Sequence, residues 1–221
     1  MQHRFRLVLL LVFFSAVGAE AQIRYQLGFT TGVNYSTLHS DRFTTSVGRI
    51  APLIGCSFAV APGDMLELNQ EIVLSLGGAE ARAVYFRAEQ KPEEHTYAYY
   101  YYSFETALFV GFRPGRDIPV LLQAGGFLGA NFNALNRSQR ELMILDYVHI
   151  NNAMRAVDLN DAFSGLDYGA AVGLALGEGR WRGNIRYYLG LKNLYDYIDF
   201  VQPGPGIRTS ALRASLTYFL D

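Results

Sequence analysis

After residue 22, apolar and polar residues alternate with period two along most of the chain, and helical spacing is scarce. In the stretch from Arg24, the residues Tyr25, Leu27, Phe29, Val33 and Tyr35 share one face, and Arg24, Gln26, Gly28, Thr30, Gly32, Asn34 and Ser36 share the other. The same division recurs further on. Leu66, Leu68, Ile72, Leu74 and Leu76 oppose Glu67, Asn69, Glu71 and Ser75, and Trp181, Ile185, Tyr187 and Leu189 oppose Arg182, Asn184 and Arg186. Eight strands are predicted, over 23–36, 47–60, 65–77, 98–112, 118–133, 166–177, 181–194 and 208–220. They are long beside the usual 5 or 6 residues of soluble sheets, and long enough for the roughly 9 to 11 residues that cross a bilayer. The strands at 47–60 and 98–112 alternate less cleanly. Pro52 has no N–H to give a ladder, which predicts a bulge there.

The connections carry a second pattern. Those over 37–46, 78–97, 134–165 and 195–207 are long, whereas 61–64, 113–117 and 177–180 are tight turns rich in Gly and Pro. Long and short alternate, so one rim carries every long loop. Hydrocarbon offers the backbone no hydrogen bonds, and a sheet crosses it only when closed on itself. The prediction is all-β: an eight-stranded antiparallel transmembrane β-barrel with short periplasmic turns and long extracellular loops.

Energy decides which face points out. Arg or Lys facing lipid at mid-membrane costs about 2 to 4 kcal/mol. Arg49, Glu67, Glu71, Glu105, Asp167, Arg186 and Arg213 all lie on the polar faces. Seven such charges turned to lipid exceed an ordinary folding free energy. They are expected inside, as a lumen charge network. Eight strands leave an interior just wide enough for side chains, so the lumen is expected to be packed and polar, not an open pore. A soluble lipocalin-type barrel or sandwich would reverse the faces. Aromatic residues near strand ends on the apolar faces, among them Tyr25, Tyr35, Tyr100, Tyr102 and Trp181, favour the membrane.

Composition agrees. Of 221 residues, 50% are hydrophobic and 18% charged, with 15 Tyr, 15 Phe and 22 Gly against four His, and a net charge of −1 gives no footprint for nucleic acid. His3, Arg4 and Arg6 precede an apolar run, and Ala19-Glu20-Ala21 precedes Gln22: a secretory leader over 1–21, cleaved between Ala21 and Gln22, ahead of one barrel domain over 22–221. Cys56, the only cysteine, is expected to be a small buried hydrophobe.

Several motifs together resemble the PorT-like outer-membrane β-barrel family of Bacteroidetes-type bacteria. They are Gly28-x3-Gly32-x-Asn34-Tyr35-Ser36, the stretch from Glu71 to Gly78, Gly125-Gly126 with Gly129, Asp167-Tyr168-Gly169 with Gly173, and Tyr188-x-Gly190-Leu191-x-Asn193-Leu194. The chain has Thr106-Ala107 where that family often has Ile-Pro, and it ends on Leu220-Asp221 instead of an aromatic residue. The resemblance implies an eight-stranded barrel in the outer membrane. One branch of the family is tied to type IX secretion, and no functional residue of that branch transfers here.

Candidate chemistry is sparse. His39, His95 and His149 fall in three different long loops, and Ser40-Asp41, Glu93-Glu94 and the pair Asp158 and Asp161 read as solvated loop residues. Gly-x-Gly strings at 177–179 and 204–206 follow no βαβ pattern. No catalytic, cofactor or metal site is expected. Tyr97, Tyr99 and Tyr101 could form an aromatic stacking platform at the rim, though an aromatic girdle accounts for the same run. The apolar content of 134–165 points to an extended hairpin, a lid or a partner contact. The expected function is a non-enzymatic structural or interaction barrel acting through its external loops. Its expected partners are outer-membrane lipid and lipopolysaccharide, the barrel-assembly machinery during insertion, and an envelope protein met by the loops. An accessory role in a secretion or envelope-assembly machine, and a lipid-modifying enzyme, are the alternatives.

Overall fold

The computed structural model describes residues 23–39, 47–85, 93–115, 118–133, 143–144, 154–155, 165–177, 179–194 and 208–220. Eight long strands form the wall: β1 (Arg24–His39), β2 (Val47–Ala61), β3 (Leu66–Tyr85), β4 (Glu93–Phe112), β5 (Val120–Asn133), β8 (Leu166–Leu176), β9 (Trp181–Gly190) and β10 (Arg208–Phe219). Two-residue strands β6 (Met143–Ile144) and β7 (Met154–Arg155) lie between β5 and β8. Each wall strand pairs antiparallel with its neighbours in chain order, and β1 pairs with β10, from Gly28 opposite Phe219 to His39 opposite Arg208. Together with the β2–β3 ladder, this closes an eight-stranded barrel with no free edge along the wall.

Alternation fixes the two faces. Leu27, Phe29, Ile54, Leu108, Val172 and Ile185 point outward and are exposed, and Tyr25, Tyr35, Tyr102, Phe112 and Trp181 stand outward near the strand ends. Thr30, Asn34, Ser57, Asn69, Gln123 and Asn184 point inward and are buried. Cys56 is exposed, level with Phe29 and Ile72 on the outer face, and not buried as expected. In an inside-out barrel a small apolar residue belongs against lipid, so the usual link between apolar and buried fails.

A bulge lies in β2 between Gly48 and Leu53, the interval that holds Pro52, while Pro52 itself stays in register with Val33 of β1. Between Gly48 and Leu53 β2 advances five residues while β3, from Ala79 to Ser75, advances four. The backbone of β3 there loses its β2 partners, and β1 supplies substitutes from inside. Asn34 Nδ2 donates to the Leu76 carbonyl at 3.2 Å, and Ser36 Oγ donates to the Gly78 carbonyl at 3.0 Å while accepting the Gly78 N–H at 2.8 Å. Buried backbone groups in a low-dielectric wall need such partners.

Two strands outrun the sequence reading. The ladder of β3 and β4 continues to Tyr85 opposite Glu93, into the predicted 78–97 loop. The segment Gly78-Ala79-Glu80-Ala81-Arg82-Ala83 lacks large apolar residues on either face. Beyond the apolar band neither face must be greasy, so pairing persists after the hydrophobic signal stops. Met143 and Ile144 of β6 pair with Val84 and Ala83 on this extension, and β7 pairs with β6. The remainder of 134–165, apart from Gly165, lies outside the described residues.

At the opposite rim the turns are tight. Gly177 and Gly179 have φ of 130° and 68°, a region that suits glycine, and the Gly177 N–H donates to the Pro119 carbonyl. Ser36→Ala removes both bonds to Gly78 and is expected to lower the unfolding free energy by about 2 kcal/mol in urea titrations of the vesicle-inserted barrel. Pro52→Ala, which strips no buried bond, should cost no more than about 0.5 kcal/mol in the same titration.

Candidate functional site

The interior of the barrel is its only extensive polar surface away from the rims among the described residues, and it is crossed by three ion pairs. Nearest the short turns, Arg182 of β9 holds Glu67 of β3 through both guanidinium Nη atoms, the Nη2–Oε2 bond being 3.0 Å. One turn of the pattern further up, Arg186 Nη1 donates to Glu71 Oε2 at 2.6 Å. Above these, Arg213 of β10 donates through Nη2 to Glu105 Oε1 of β4 at 2.6 Å. In the ring order β1-β10-β9-β8-β5-β4-β3-β2, β3 and β9 are four places apart, as are β4 and β10. Each pair therefore joins opposite walls and spans the lumen.

Neighbouring groups fix these side chains. Arg186 also donates through Nε to Gln123 Oε1 at 2.8 Å and through Nη2 to Asn184 Oδ1 at 3.1 Å. Its stem lies over Gly173, where an added Cβ would come within 2.5 Å of Arg186 Cγ. Arg213 donates through Nε to Asn34 Oδ1 at 3.3 Å, and Ser103 Oγ donates to Glu105 Oε1 at 2.8 Å. Arg186 and Arg213 are direct cross-strand neighbours, a repulsive placement relieved because each faces its own carboxylate.

The lumen is not uniformly polar. Phe109, Phe127 and Tyr188 cluster inside with Ala107, Ala171 and Ala211. Phe109 and Phe127 meet the Tyr188 ring edge-on at 6.2 and 5.4 Å. The Arg213 guanidinium lies 4.0 Å over Tyr188 and that of Arg186 4.2 Å over Phe109, so the rings accept both cations on their faces. Between Glu71, Arg186, Tyr188 and Arg213 remains a space of about 10 Å³, room for about one water. The short-turn mouth is wider, a bowl of about 460 Å³ lined by Arg24, Asp64, Arg113 and Leu121 and floored by the Arg182–Glu67 pair.

Of the residues expected in the lumen, Glu67, Glu71, Glu105, Asp167, Arg186 and Arg213 are buried inside the wall. Arg49 is not among them. Its guanidinium lies 4.2 Å over the outward Tyr100 ring and 3.1 Å from Glu80, in a partly exposed pair. The bulge adds one residue to β2 next to Arg49, which shifts the side-chain alternation there. Arg182 is the missing partner of Glu67. It belongs to the polar face of its strand, and the Arg-x3-Arg spacing with Arg186 mirrors the Glu-x3-Glu spacing of Glu67 and Glu71 on β3. Reading those two repeats together would have found it.

Tyr101 points inward and is buried, whereas Tyr97 and Tyr99 lie outside the residues whose side chains the structure describes. No common platform can be drawn from the three. The expected cleavage residues Ala19, Ala21 and Gln22 lie outside the described residues, as does His149. His39 ends β1, exposed, and the backbone of His95 pairs with Ala83 on the β3–β4 extension, inside what was expected to be loop. Among the described residues, no group of three or more His, Cys, Asp or Glu side chains converges to hold a metal ion.

Removing one member of a diametral pair strands the other. Glu71→Leu is expected to destabilise the barrel by about 3 kcal/mol in urea unfolding, and Glu71→Leu with Arg186→Met should recover most of that loss. Additive losses in the double variant would show that the two residues are not coupled.

The chain matches the family described as "Outer membrane protein beta-barrel domain" over residues 15–196. No curated protein matches it. Among solved structures it is similar to neisserial surface protein A, NspA, at 11% identity and a TM-score of 0.45, covering 87% of this chain and 96% of that one. It is similar to Ail, the attachment invasion locus protein of Yersinia pestis, at 8% identity and a TM-score of 0.39, covering 91% and 100%. OprG from Pseudomonas aeruginosa is similar at 10% identity and a TM-score of 0.40, covering 92% and 98%. With the family matched over most of the chain and the antiparallel sheet closed into a barrel, the chain belongs to the outer membrane protein beta-barrel domain family and resides in the outer membrane.

Proposed function

We propose that this protein is a closed, non-enzymatic barrel that serves the cell envelope as a structural or interaction element through its long-loop rim. The observation that carries this reading is the set of three ion pairs spanning the lumen. A permeating solute would have to part Arg182 from Glu67, Arg186 from Glu71 and Arg213 from Glu105, each buried and each costly to separate. With the interior spent on its own cohesion, outward function falls to the rims. The long-loop rim has the material for it: the β3–β4 extension, widened by β6 and β7 into a sheet standing beyond the barrel. Outer-membrane lipid and lipopolysaccharide surround the wall, the barrel-assembly machinery inserts the chain, and an envelope protein is the partner that such a protruding sheet suits.

The PorT-like motifs favour a second reading, an accessory in a secretion or envelope-assembly machine. Asn34, Ser36 and Gly78, which carry that resemblance, meet at the Pro52 seam as wall-building residues, so the motif is accounted for by barrel architecture. The structural or interaction reading is therefore preferred.

Planar-bilayer recording tests closure directly. The reconstituted protein is expected to give no large, stable single-channel conductance, and regular steps of a nanosiemens-class pore would end the proposal. Alanine at His39, His95 and His149 is expected to change no lipid-hydrolysing activity of cells or vesicles carrying the protein. Loss of such an activity would establish an enzyme.

A further inference from the structure

One ladder of the wall is interrupted. Among the described residues, seven of the eight wall ladders run without a shift of register, and only that of β2 and β3 has one. Between the Gly48–Ala79 and Leu53–Ser75 rungs, residues 49–52 of β2 and 76–78 of β3 lie outside the ladder. Three side-chain bonds from β1 stand in: one from Asn34 to the Leu76 carbonyl, and two joining Ser36 to the carbonyl and the N–H of Gly78. Elsewhere in the wall, parting a stretch of this length breaks about one backbone bond per residue.

The gap sits in the outer-leaflet half of the wall. Tyr25 and Tyr35 stand outward ten residues apart on β1. That is about 33 Å of strand and, at the tilt of such barrels, about 25 Å of height, the depth of the apolar band. Ile50 lies opposite Tyr35 and Pro52 opposite Val33, so the gap opens just inside the long-loop edge of that band. Its outer side is apolar: Ile50 is 73% exposed, and Pro52 and Leu74 face out beside it. Its inner side is polar and uncharged. Asn34 and Ser36 line it, and at its lower lip Ser75 is 5% exposed with an Oγ that has no hydrogen-bond partner. Tyr101 lies over Gly77 from within, where an added Cβ would come 2.6 Å from the phenol oxygen. Arg213 stands level with Asn34, and its bridge to Glu105 closes the lumen beneath.

We propose that this seam is a lateral hatch to the outer leaflet, with Asn34 and Ser36 as its latch. Local opening follows the line of fewest bonds. Both latch groups are neutral, so their release separates no charge, in contrast to the ion pairs below. An amphiphile of the outer leaflet suits the opening. Its chains lie against Ile50, Pro52 and Leu74, and its ester or hydroxyl oxygens take hydrogen bonds from Ser75, Ser36 and Asn34 once Tyr101 turns aside. The buried Ser75 hydroxyl gains by this the partner that such groups ordinarily have. The hatch rests on the reading of a lumen sealed lower down, and it leads only to the long-loop mouth.

The test uses the unsubstituted barrel in phosphatidylcholine vesicles that contain a trace of phosphatidylcholine with a diazirine on the acyl chain beside the ester. After illumination, peptide mapping by mass spectrometry locates the lipid label. Label is expected on the inward residues Asn34, Ser36 or Ser75 as well as on outward Ile50 and Leu74, and not on the inward Thr30, Asn69 or Gln123. Ser36→Ala is expected to raise the inward label about three- to tenfold. Ser57→Ala, which removes a bond to Asn69 where the same two strands are still paired, should leave it unchanged. Label confined to outward residues along the seam would overturn the proposal. So would label on inward residues all round the barrel, or an equal rise in both variants, since either means general loosening. Planar-bilayer conductance reads the seal of the lumen separately, so a leaking lumen and a seam that stays shut give different results.

Discussion

Hydrocarbon cannot hydrogen-bond, and this single deficiency organises the molecule. Backbone N–H and C=O groups crossing the bilayer must find one another, which forces the sheet to close through the β1–β10 ladder. Closure creates an inside, and the inside is then the one place within the wall where charge is tolerated. Leu27, Leu108 and Ile185 face outward for the same reason that Glu71 and Arg186 face inward. Where the wall itself falters, at the Pro52 bulge, the requirement persists, and Asn34 and Ser36 reach across from β1 to meet it.

Within that enclosure, polar and aromatic packing are interleaved. Arg186 and Arg213 stand side by side on adjacent strands, yet each finds a carboxylate on the far wall and an aromatic face beside it. The guanidinium suits this task because its planar fork hydrogen-bonds at the edges while its faces stack. A lysine at either position would keep the charge and lose the stacking. Burial of such pairs contributes little net stability compared with an apolar filling, whereas removing one partner leaves the other charge buried and unpaired.

Much of this was legible in the residues. Period-two alternation located the eight wall strands, and the alternation of long and short connections gave the two rims. The inward face of Glu67, Glu71, Arg186 and Arg213 followed from the cost of charge in lipid. What the pattern obscured has identifiable causes. The strand around 98–112 alternates poorly because Tyr101 and Phe109 are large and inward while Tyr102, Phe104 and Leu108 are large and outward, so both faces look apolar. The β3–β4 extension leaves the greasy band and with it the signal that marks a strand. Arg49 is displaced by a one-residue bulge, which no face count through Pro52 can anticipate to the residue. Cys56 was misplaced by a soluble-protein habit, in which apolar means interior.

The diametral arrangement of the ion pairs has a kinetic corollary. The acids sit on β3 and β4 and the guanidinium groups on β9 and β10, so the chain makes every acid of the three pairs well before its counter-charge. None of the pairs connects strands that are neighbours in the sheet, and a half-built, open sheet holds its opposing walls apart. Neutralisation and the final zippering of β10 onto β1 therefore belong to one cooperative event. Until that moment a nascent curl carries three unpaired acids, and then three unpaired cations as well, on its concave side, a strong reason for it to remain at a wet surface and to enter the membrane only as it completes its circle.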